Sequence, residues 1–219
     1  MLAYILTALA AYLLGSIPTG FLVARAKGID IRAVGSGNIG ATNAMRVLGK
    51  PAGIAVLLLD AAKGYAAVYF GAYIFRSFLR QLYPFTFYSG PTPDSIEHFA
   101  ILAGIFAVLG HNYTCWLKFK GGKGIATTAG VYLALAPWPL LIALAVFILA
   151  LLLTRYVSVG SISGAVALVA AVWFLPPHNL FLGIVTTALG ALAIYKHKSN
   201  IQRLLAGTEN RLGKKSEAK

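Results

Sequence analysis

The sequence predicts an all-helical bundle embedded in a membrane, and three observations carry that prediction. The 219 residues are 58% hydrophobic and only 11% charged, with a mean hydropathy of +0.76. The apolar runs are continuous rather than alternating, which is typical of helices and not of barrel strands in lipid. Lys and Arg are concentrated in short segments between these runs, as at the cytoplasmic ends of spans. We therefore expect a single all-α, multi-pass domain over residues 1–219.

The first three spans follow from the uncharged stretches of the N-terminal half. A helix needs about 20 apolar residues to cross the hydrocarbon layer. Residues 1–24 fit this length, and because no basic leader precedes them they are predicted to be a retained span rather than a cleaved signal. The second span is expected at 51–75, and the third lies between Glu97 and Lys118.

The C-terminal half contains two stretches that are too long for one crossing each. Residues 124–154 would extend about 46 Å as one helix at 1.5 Å per residue. Pro137 and Pro139 lie in mid-stretch and each removes a backbone donor, so we expect two shorter helices. Residues 156–195 are likewise divided at Pro176 and Pro177. The total predicted is seven spans.

The distribution of basic residues supports seven spans over six. With seven, sixteen of the nineteen Lys and Arg residues lie on one side, and only Arg76 and Arg80 face the other. Merging 124–154 into one span would place eight on the first side and ten on the second. Since cytoplasmic loops collect basic residues, the N-terminus is predicted outside and the tail, 196–219, in the cytoplasm, with a flexible end. Aromatic residues of the outer loop, 76–97, are expected to form an interfacial belt.

Composition also excludes several kinds of site. The single cysteine, Cys115, cannot form an internal disulfide. No group of His, Cys, Asp and Glu has metal-ligand spacing, so a structural metal is not expected. The net charge of +13 is explained by topology and attraction to anionic membrane lipids. Nucleic acid is not an expected partner, because no stacking platform or recognition helix accompanies the charge.

The first predicted cytoplasmic loop, residues 32–46, has the composition of an anion-binding segment. Its glycines match the pattern G-x-G-x-x-G, but no strand precedes them, so a dinucleotide fold is excluded. Glycines let backbone amides approach an anion, and a short helix is expected to begin behind them and to end near Arg46, whose planar fork can hold two phosphate oxygens. The candidate binding residues of this loop are Ser36, Gly37, Asn38, Gly40, Thr42, Asn43 and Arg46. A glycine-rich turn at a membrane surface is the alternative.

The second predicted cytoplasmic loop, residues 110–124, contains His111 and a Gly-Gly-Lys sequence at 121–123. It is not a nucleotide-binding P-loop, because Leu117 stands where the first glycine would be required. Lys123 follows Gly121 and Gly122 and opens the next span, so its ammonium and the nearby amides can meet an anion.

The third basic segment begins where the last span ends. His197, Asn200 and Arg203 are spaced i, i+3 and i+6, so a helical continuation would group them on one face. His111 and His197 can each be ordinary interface histidines. Their predicted location on the cytoplasmic side, beside two anion-suited loops, favours a functional role. Asp60 and Lys63, at i and i+3 inside the second span, are either a structural ion pair or functional residues.

A dyad typical of acyltransferases that use acyl-thioesters is missing. Such enzymes commonly pair a His with an Asp five positions later, but the residues at those positions here are Trp116 and Gln202. There is also no G-x-S-x-G motif. Any reaction is therefore expected to depend on positioning and charge more than on a strong protein base.

The chain resembles the bacterial membrane acyl-phosphate-dependent glycerol-3-phosphate acyltransferases over essentially its whole length. Three ordered blocks carry the resemblance: 35–43 with Arg46, then 110–112 with 119–127, and His197 with 200–204 and 207–209. Residues 15–18, Asp60 with 63–64, and 155–158 are also similar. One departure is Thr114, where many relatives are expected to have Pro.

The resemblance implies a seven-span enzyme of the bacterial inner membrane that makes phospholipid precursors. A fatty acyl group would pass from acyl phosphate to the 1-hydroxyl of glycerol 3-phosphate, giving lysophosphatidic acid and phosphate, without a cofactor. It also implies that His197, Lys123 and Arg46 are catalytic. Phosphate binding falls to Ser36, Asn38, Arg46 and Lys123, and orientation of glycerol 3-phosphate falls to Ser161, His197 and Asn200.

The alternative from another functional class is a small organophosphate or anion transporter. Transporters often contain internal repeats and sites near the middle of the membrane. Here no clear repeat is found, seven spans do not halve, and the polar residues gather towards one predicted face. The enzyme interpretation is therefore favoured.

Overall fold

The structure, a computed structural model, describes residues 2–82, 93–176 and 178–213; of residues 74–82 and 93–95 it describes the backbone alone. These ranges contain α-helices, one 3₁₀ turn and no strand, which confirms the predicted all-α class. The aromatic residues 83, 85, 87 and 88 of the outer loop lie outside the described residues, as does Pro177.

The helices in chain order are α1 Leu2–Ser16, α2 Thr19–Arg25, α3 Ala41–Leu48, α4 Lys50–Leu82, α5 Pro93–Asn112, α6 Ile125–Leu135, α7 Pro137–Thr154, α8 Val157–Phe174, α9 Leu180–Lys196 and α10 Lys198–Leu205. The 3₁₀ turn Cys115–Leu117 lies between α5 and α6.

Within the described residues, five segments are long and apolar enough to cross a membrane. They are Leu2–Arg25, Lys50–Tyr73, Ile96–Leu117, Pro137–Thr154 and Val157–Phe174. A sixth is counted if α9 and α10, bent by 52° at their junction, form one span. The remaining predicted span corresponds to α6, whose 11 residues cover only about 16 Å. The count of seven and the direction of the termini therefore stay predictions.

Prolines divide two of the apolar stretches. Pro18 separates α1 from α2 because it has no N–H to continue the helical ladder. In residues 124–154 the break falls at Ala136, and Pro137 and Pro139 begin α7, where their missing donors cost nothing. The expected division of this stretch is thus observed, one residue before the first proline.

The chain divides into two compact units, Met1–Leu135 and Ala136–Lys219. In the first, small residues allow close helix contacts: a Cβ at Gly15 would overlap Ala107 of α5, and one at Gly64 would overlap the carbonyl oxygen of Thr127 in α6. Backbones can approach this closely in membrane bundles only at such residues. These contacts fix α1 against α5 and α4 against α6.

The second unit is built from α7, α8 and α9, with α10 attached. Gly160 and Gly164 of α8 pack on Phe147 of α7. Trp173 Nε1 donates a hydrogen bond to Thr187 Oγ1 over 3.1 Å, linking α8 to α9. Leu152 and Leu153 of α7 are 72% and 75% exposed, as expected of side chains that face lipid.

Candidate active site

The first predicted loop is organised around the side chain of Asn43, which is 1% exposed. Its Nδ2 donates to the carbonyl oxygens of Ile31 and Val34 over 3.2 and 3.1 Å. Its Oδ1 accepts from the backbone N–H of Ser36 over 2.8 Å. Both amide hydrogens are therefore used inside the loop, so the observed role of Asn43 is to brace it. Its predicted contact with a substrate stays a prediction.

The glycines of this loop adopt the conformation that the anion-binding hypothesis requires. Gly35 and Gly37 have φ of +62° and +70°, in the left-handed region that glycine enters without strain. Asn38 Oδ1 accepts from the N–H of Gly40 over 2.8 Å, which shapes the turn before α3. Ser36 and Gly37 are exposed and Asn38 is half-buried. The turn therefore presents small polar groups at the surface of its unit.

The short helix expected behind the glycines is α3, Ala41–Leu48. Its N-cap is Gly40, and no side chain caps it, so its first amides point into the loop. Thr42 lies half-buried in its first turn, and Arg46 is exposed in its last turn, where the sequence placed it. The helix thus carries one hydroxyl and one guanidinium at opposite ends.

The second loop is fixed by an unusual backbone path and by a hydrogen bond to α1. Lys118 and Phe119 both have positive φ, 53° and 60°, which is uncommon for residues with a Cβ. Thr114 Oγ1 donates to the carbonyl oxygen of Ser16 over 2.6 Å in the interior. The residue that departs from the expected proline therefore has a structural use here, since proline has no hydroxyl to make this bond.

The Gly121–Gly122 turn returns to the end of α5 and delivers Lys123 just before α6. Gly121 donates its N–H to the carbonyl of Asn112 over 3.2 Å, and Gly122 donates to the carbonyl of His111 over 3.0 Å. Lys123 is half-buried and Gly122 is buried. The turn is thus anchored to the helix that carries His111.

His111 itself is buried, with 5% of its side chain exposed, and its Nδ1 lies 3.5 Å from Oδ1 of Asp60. Asp60 also forms an ion pair with Lys63, with 2.8 Å between Oδ1 and Nζ. The i, i+3 pair expected within the second span is therefore present, and His111 adjoins it.

In the second unit, His197 stands at the bend between α9 and α10 and is 3% exposed. Its Nδ1 lies 2.8 Å from the carbonyl oxygen of Ala193. Because a carbonyl can only accept, Nδ1 carries the proton in this bond, and the neutral ring has its lone pair on Nε2. The imidazole is thereby fixed in orientation and tautomer.

The helical continuation after His197 exists as α10, and Glu209 gathers its polar residues. Oε1 of Glu209 accepts from Asn200 Nδ2 over 2.7 Å and from Ser158 Oγ over 3.0 Å. Oε2 accepts from Arg203 Nε over 2.7 Å. Asn200 and Arg203 are therefore grouped on one face, as their spacing predicts, but through a carboxylate that spacing does not reveal.

Opposing effects set the pKa of Glu209. Burial alone would raise it, but the hydrogen bonds from Asn200, Arg203 and Ser158 hold the pKa of the carboxyl below its ordinary value. Its side chain is only 4% exposed. Glu209 is consequently ionised near neutral pH and acts as an anionic brace for α10 and for the start of α8.

Ser161 lies buried in the first turns of α8, and its Oγ donates to the carbonyl of Val157 over 2.9 Å. This local bond leaves the oxygen lone pairs as acceptors. Each unit therefore contains several of the predicted residues in ordered surroundings. Sequence reasoning did not predict the two braces: it named Asn43 only as a candidate for ligand binding, and Glu209 entered only through the resemblance. Among the described residues, no group of three or more His, Cys, Asp and Glu side chains could hold a metal ion.

Comparisons with known proteins agree with one another on the family. The model of the family described as glycerol-3-phosphate acyltransferase matches residues 5–207. A glycerol-3-phosphate acyltransferase from Endomicrobium trichonymphae is 44% identical over 213 residues, covering 97% of each chain. One from Geobacter sulfurreducens is 46% identical over 207 residues, covering 94% of this chain and 96% of the relative.

Two crystal structures of PlsY (YgiH), described as an integral membrane glycerol 3-phosphate acyltransferase, have the same fold. The glycerol 3-phosphate form matches with a TM-score of 0.80 and 37% identity over 96% of both chains. The lysophosphatidic acid form matches with a TM-score of 0.77 and 36% identity, over 96% of this chain and 95% of that one. With its apolar helices and its full-length match to these proteins, the chain is an integral membrane protein that belongs to the glycerol-3-phosphate acyltransferase family.

Proposed function

We propose that the protein transfers a fatty acyl group from acyl phosphate to the 1-hydroxyl of glycerol 3-phosphate, forming lysophosphatidic acid and inorganic phosphate. The observation that carries the choice of donor is the missing thioester-type dyad, with Trp116 and Gln202 where an Asp would follow His111 and His197. Acyl phosphate is a mixed anhydride and is already activated, so neither a covalent enzyme intermediate nor a strong protein base is needed.

The binding groups divide by unit. In the first unit, Ser36, Asn38, Arg46 and Lys123 bind phosphate, supported by the left-handed glycines and by the delivery of Lys123 from a braced turn. The predicted set in this unit is completed by four glycines and three polar residues: Gly37, Gly40, Gly121, Gly122, Thr42, Asn43 and His111. In the second unit, Ser161, His197 and Asn200 orient glycerol 3-phosphate, the ligand of the PlsY form with the TM-score of 0.80.

In the proposed reaction the 1-hydroxyl oxygen attacks the acyl carbonyl carbon. The bond between that carbon and the bridging phosphate oxygen breaks, and phosphate leaves with the electron pair. A phosphate oxygen of the substrates accepts the hydroxyl proton, which accounts for the absence of a dyad. Arg46 and Lys123 stabilise the negative charge that develops on the leaving phosphate. His197 is the second choice of base, because Nε2 of its neutral ring carries a lone pair and its ordinary pKa is near 6.5.

We further propose seven crossings of the bacterial inner membrane, with the N-terminus outside and the C-terminus in the cytoplasm. The distribution of Lys and Arg supports this arrangement. The 11 residues of α6 are short for a crossing, so the non-helical residues before it, 120–124, must contribute. In inverted vesicles a membrane-impermeant maleimide should label Cys115, and in right-side-out cells it should not. Labelling of Cys115 only in right-side-out cells would show that the orientation is the reverse of the proposed one.

The deciding experiment is transfer of label from radioactive glycerol 3-phosphate into lipid by purified protein in detergent. Palmitoyl phosphate and palmitoyl-CoA are compared as donors. We expect product with palmitoyl phosphate and none with palmitoyl-CoA. Product only with palmitoyl-CoA would reject the proposed donor. No product with either, despite folded protein, would favour the transporter alternative.

Arg46→Ala and Lys123→Ala should lose nearly all transfer, because each removes a cation that faces developing charge. Loss of one such preorganised donor costs about 100- to 1000-fold in kcat. The control is Lys120→Ala, which removes an exposed cation from the loop that carries Lys123 and should retain activity. Wild-type turnover in either Arg46→Ala or Lys123→Ala would overturn the phosphate assignment.

His197→Ala separates the two choices of base. If a substrate phosphate accepts the proton, kcat should remain within a few-fold of the wild type while the KM for glycerol 3-phosphate rises, because the ring only orients the substrate. If His197 is the base, kcat should fall by about 100- to 10,000-fold. The measurement is the full dependence of rate on glycerol 3-phosphate concentration for both proteins.

A further inference from the structure

A buried polar group inside the first unit contains three residues that the proposed reaction does not use, and one, His111, that belongs to the predicted binding set. We call Thr19, Asp60, Lys63 and His111 the Asp60 cluster. Oδ1 of Asp60 accepts from Thr19 Oγ1 over 2.5 Å, lies 2.8 Å from Lys63 Nζ, and lies 3.5 Å from His111 Nδ1. The side chains of Asp60 and Lys63 are 2% and 5% exposed. Three different helices therefore direct polar atoms at one carboxylate oxygen.

Helix packing alone explains two of these three contacts. Lys63 donates a second hydrogen bond to the carbonyl of Ile17 over 2.8 Å, and Thr19 begins α2. Both partners therefore tie α4 to the proline break between α1 and α2, whose backbone groups lack their normal helical partners. Charges are costly inside a membrane protein unless they are paired, and Lys63 already supplies the countercharge. The approach of His111, from α5, is not required by this arrangement.

The imidazole of His111 lies between the carboxylate and the Gly121–Gly122 turn. Nδ1 is the atom nearest Asp60, whereas a Cβ placed on Gly122 would overlap Nε2. The backbone of His111 contacts the same turn, because its carbonyl accepts the N–H of Gly122 over 3.0 Å. The ring and the backbone of His111 thus both contact the turn that precedes Lys123, and glycine at position 122 leaves room for the ring.

We infer that Asp60 is a positioning residue: through His111 it holds the Gly121–Gly122 turn, and so sets the position of the Lys123 ammonium. The inference rests on the proposed role of Lys123 in phosphate binding. This role requires no contact between Asp60 and the substrate. The carboxylate fixes the rotation of the imidazole, and the imidazole in turn limits how far the turn can sink towards α4. Without that limit, the Lys123 ammonium would shift relative to the phosphate that it is proposed to bind.

The kinetic test compares Asp60→Asn, His111→Gln and the double variant, with Thr19→Val as the matched control. Thr19→Val removes a hydrogen bond from the same oxygen atom but leaves the path to the turn intact. We expect Asp60→Asn to lower kcat/KM by about 10- to 100-fold, as a displacement near 1 Å of a positioned group does. In the His111→Gln background, Asp60→Asn should change kcat/KM by less than about twofold, because the effects of coupled residues are not additive. Thr19→Val should remain close to the wild type.

A purely structural Asp60 would behave differently in this cycle. The losses from Asp60→Asn and His111→Gln would then add. Thr19→Val would lower activity, as Asp60→Asn does. Additive losses overturn the inference. Full activity of Asp60→Asn overturns it as well.

A spectroscopic readout keeps the test independent of catalysis. Cys115 is the single cysteine of the sequence and is half-buried at the start of the loop. A nitroxide attached there should gain mobility in Asp60→Asn and in His111→Gln, whereas Thr19→Val should give the wild-type spectrum. If Asp60→Asn fails to fold because Lys63 loses its countercharge, His111→Gln alone decides, since it leaves the ion pair in place. A wild-type spectrum and wild-type kcat/KM in His111→Gln would overturn the inference.

The two proposals fail in separate ways. Failure of the wild type to transfer an acyl group from either donor would reject the proposed function, and the nitroxide spectra would still report whether Asp60 holds the loop. Conversely, an active wild type with unchanged loop mobility in both variants would reject the positioning role alone.

Discussion

Two polar segments of this protein are braced in opposite ways. In the first unit, the neutral amide of Asn43 holds the glycine loop by three hydrogen bonds to backbone groups. In the second unit, the carboxylate of Glu209 holds α8 and α10 by three hydrogen bonds from side chains. Both side chains are almost fully buried, at 1% and 4% exposure. One brace is therefore uncharged and local, and the other is charged and joins residues that are distant in sequence.

The difference between the two braces fits the charge of the group that each segment contacts. A loop proposed to bind phosphate gains from an uncharged brace, because a carboxylate there would repel the ligand. Glu209 faces Arg203, a cation, so its charge is compensated within its own segment. Charge has a further consequence: the strength of the Glu209 brace depends on pH, and that of the Asn43 brace does not.

Exchanging the amide of Asn43 for a carboxylate should have the largest effect. Asn43→Asp removes both donors, so the carbonyls of Ile31 and Val34 lose their partners and face a negative charge. Each orphaned buried group costs about 1–3 kcal/mol. We expect a marked fall in the thermal unfolding midpoint in detergent and loss of acyl transfer.

The matched control is Asn38→Asp in the same loop. Asn38 is engaged through its oxygen, which accepts from Gly40, and an aspartate retains that acceptor. Its unfolding midpoint should stay near that of the wild type even if a charge near the proposed phosphate site lowers transfer. An equal drop in the midpoint for the two variants would show that charge in the loop, rather than loss of the brace, is responsible.

The charged brace should give a smaller effect that depends on pH. Glu209→Gln keeps an acceptor oxygen but loses the charge that strengthens the bonds to Arg203 and Asn200, and a charge-assisted bond is worth about 1.5–3 kcal/mol. Because the pKa of Glu209 is lower in the folded protein than its ordinary value of 4.5, its contribution is complete above that value. It is lost as the pH falls through the lower, folded pKa.

The measurement is the unfolding midpoint of wild type and Glu209→Gln between about pH 3 and 7, a range that brackets the ordinary glutamate pKa. The gap between the proteins should be constant near neutral pH and should narrow in acid. A gap that stays constant throughout would mean that ionised Glu209 does not supply the stability. The corresponding comparison of wild type with Asn43→Ala should show no narrowing in this range.

Sequence reasoning predicted the local features of these segments better than their braces. Three features follow from residues that are neighbours in the chain: the start of α3 after the glycines, the position of Arg46 in its last turn, and the helix break beside Pro137. The link from Ser158 to Glu209 spans 51 residues, so no short-range pattern contains it. Asn43 was recognised as polar, but a loop composition does not reveal whether an amide faces a ligand or its own backbone.

The length of α6 shows the same limit. Hydropathy and charge predicted seven spans, which stays a prediction, but they did not indicate that α6 has only 11 residues and follows a loop with left-handed backbone at Lys118 and Phe119. Such conformations in residues with a Cβ are imposed by tertiary contacts, here including the bond from Thr114 to Ser16. Composition carries no signal of that kind.

An exposed carboxylate provides the smallest effect and separates burial from charge. Asp30 accepts three hydrogen bonds from Arg32, and the side-chain bonds are chiefly responsible for a pKa of about 2. The pair is exposed, with 46% of the Arg32 and 38% of the Asp30 side chain accessible, so solvent and salt screen it. Asp30→Asn should therefore lower the unfolding midpoint less than Glu209→Gln at pH 7, lose even that difference in about 1 M salt, and leave acyl transfer unchanged. Its contribution, like that of Glu209, should be lost in acid, here as the pH falls through the folded pKa of Asp30, which is near 2. A salt-resistant drop as large as that of Glu209→Gln would mean that burial is not what makes the Glu209 brace the stronger of the two.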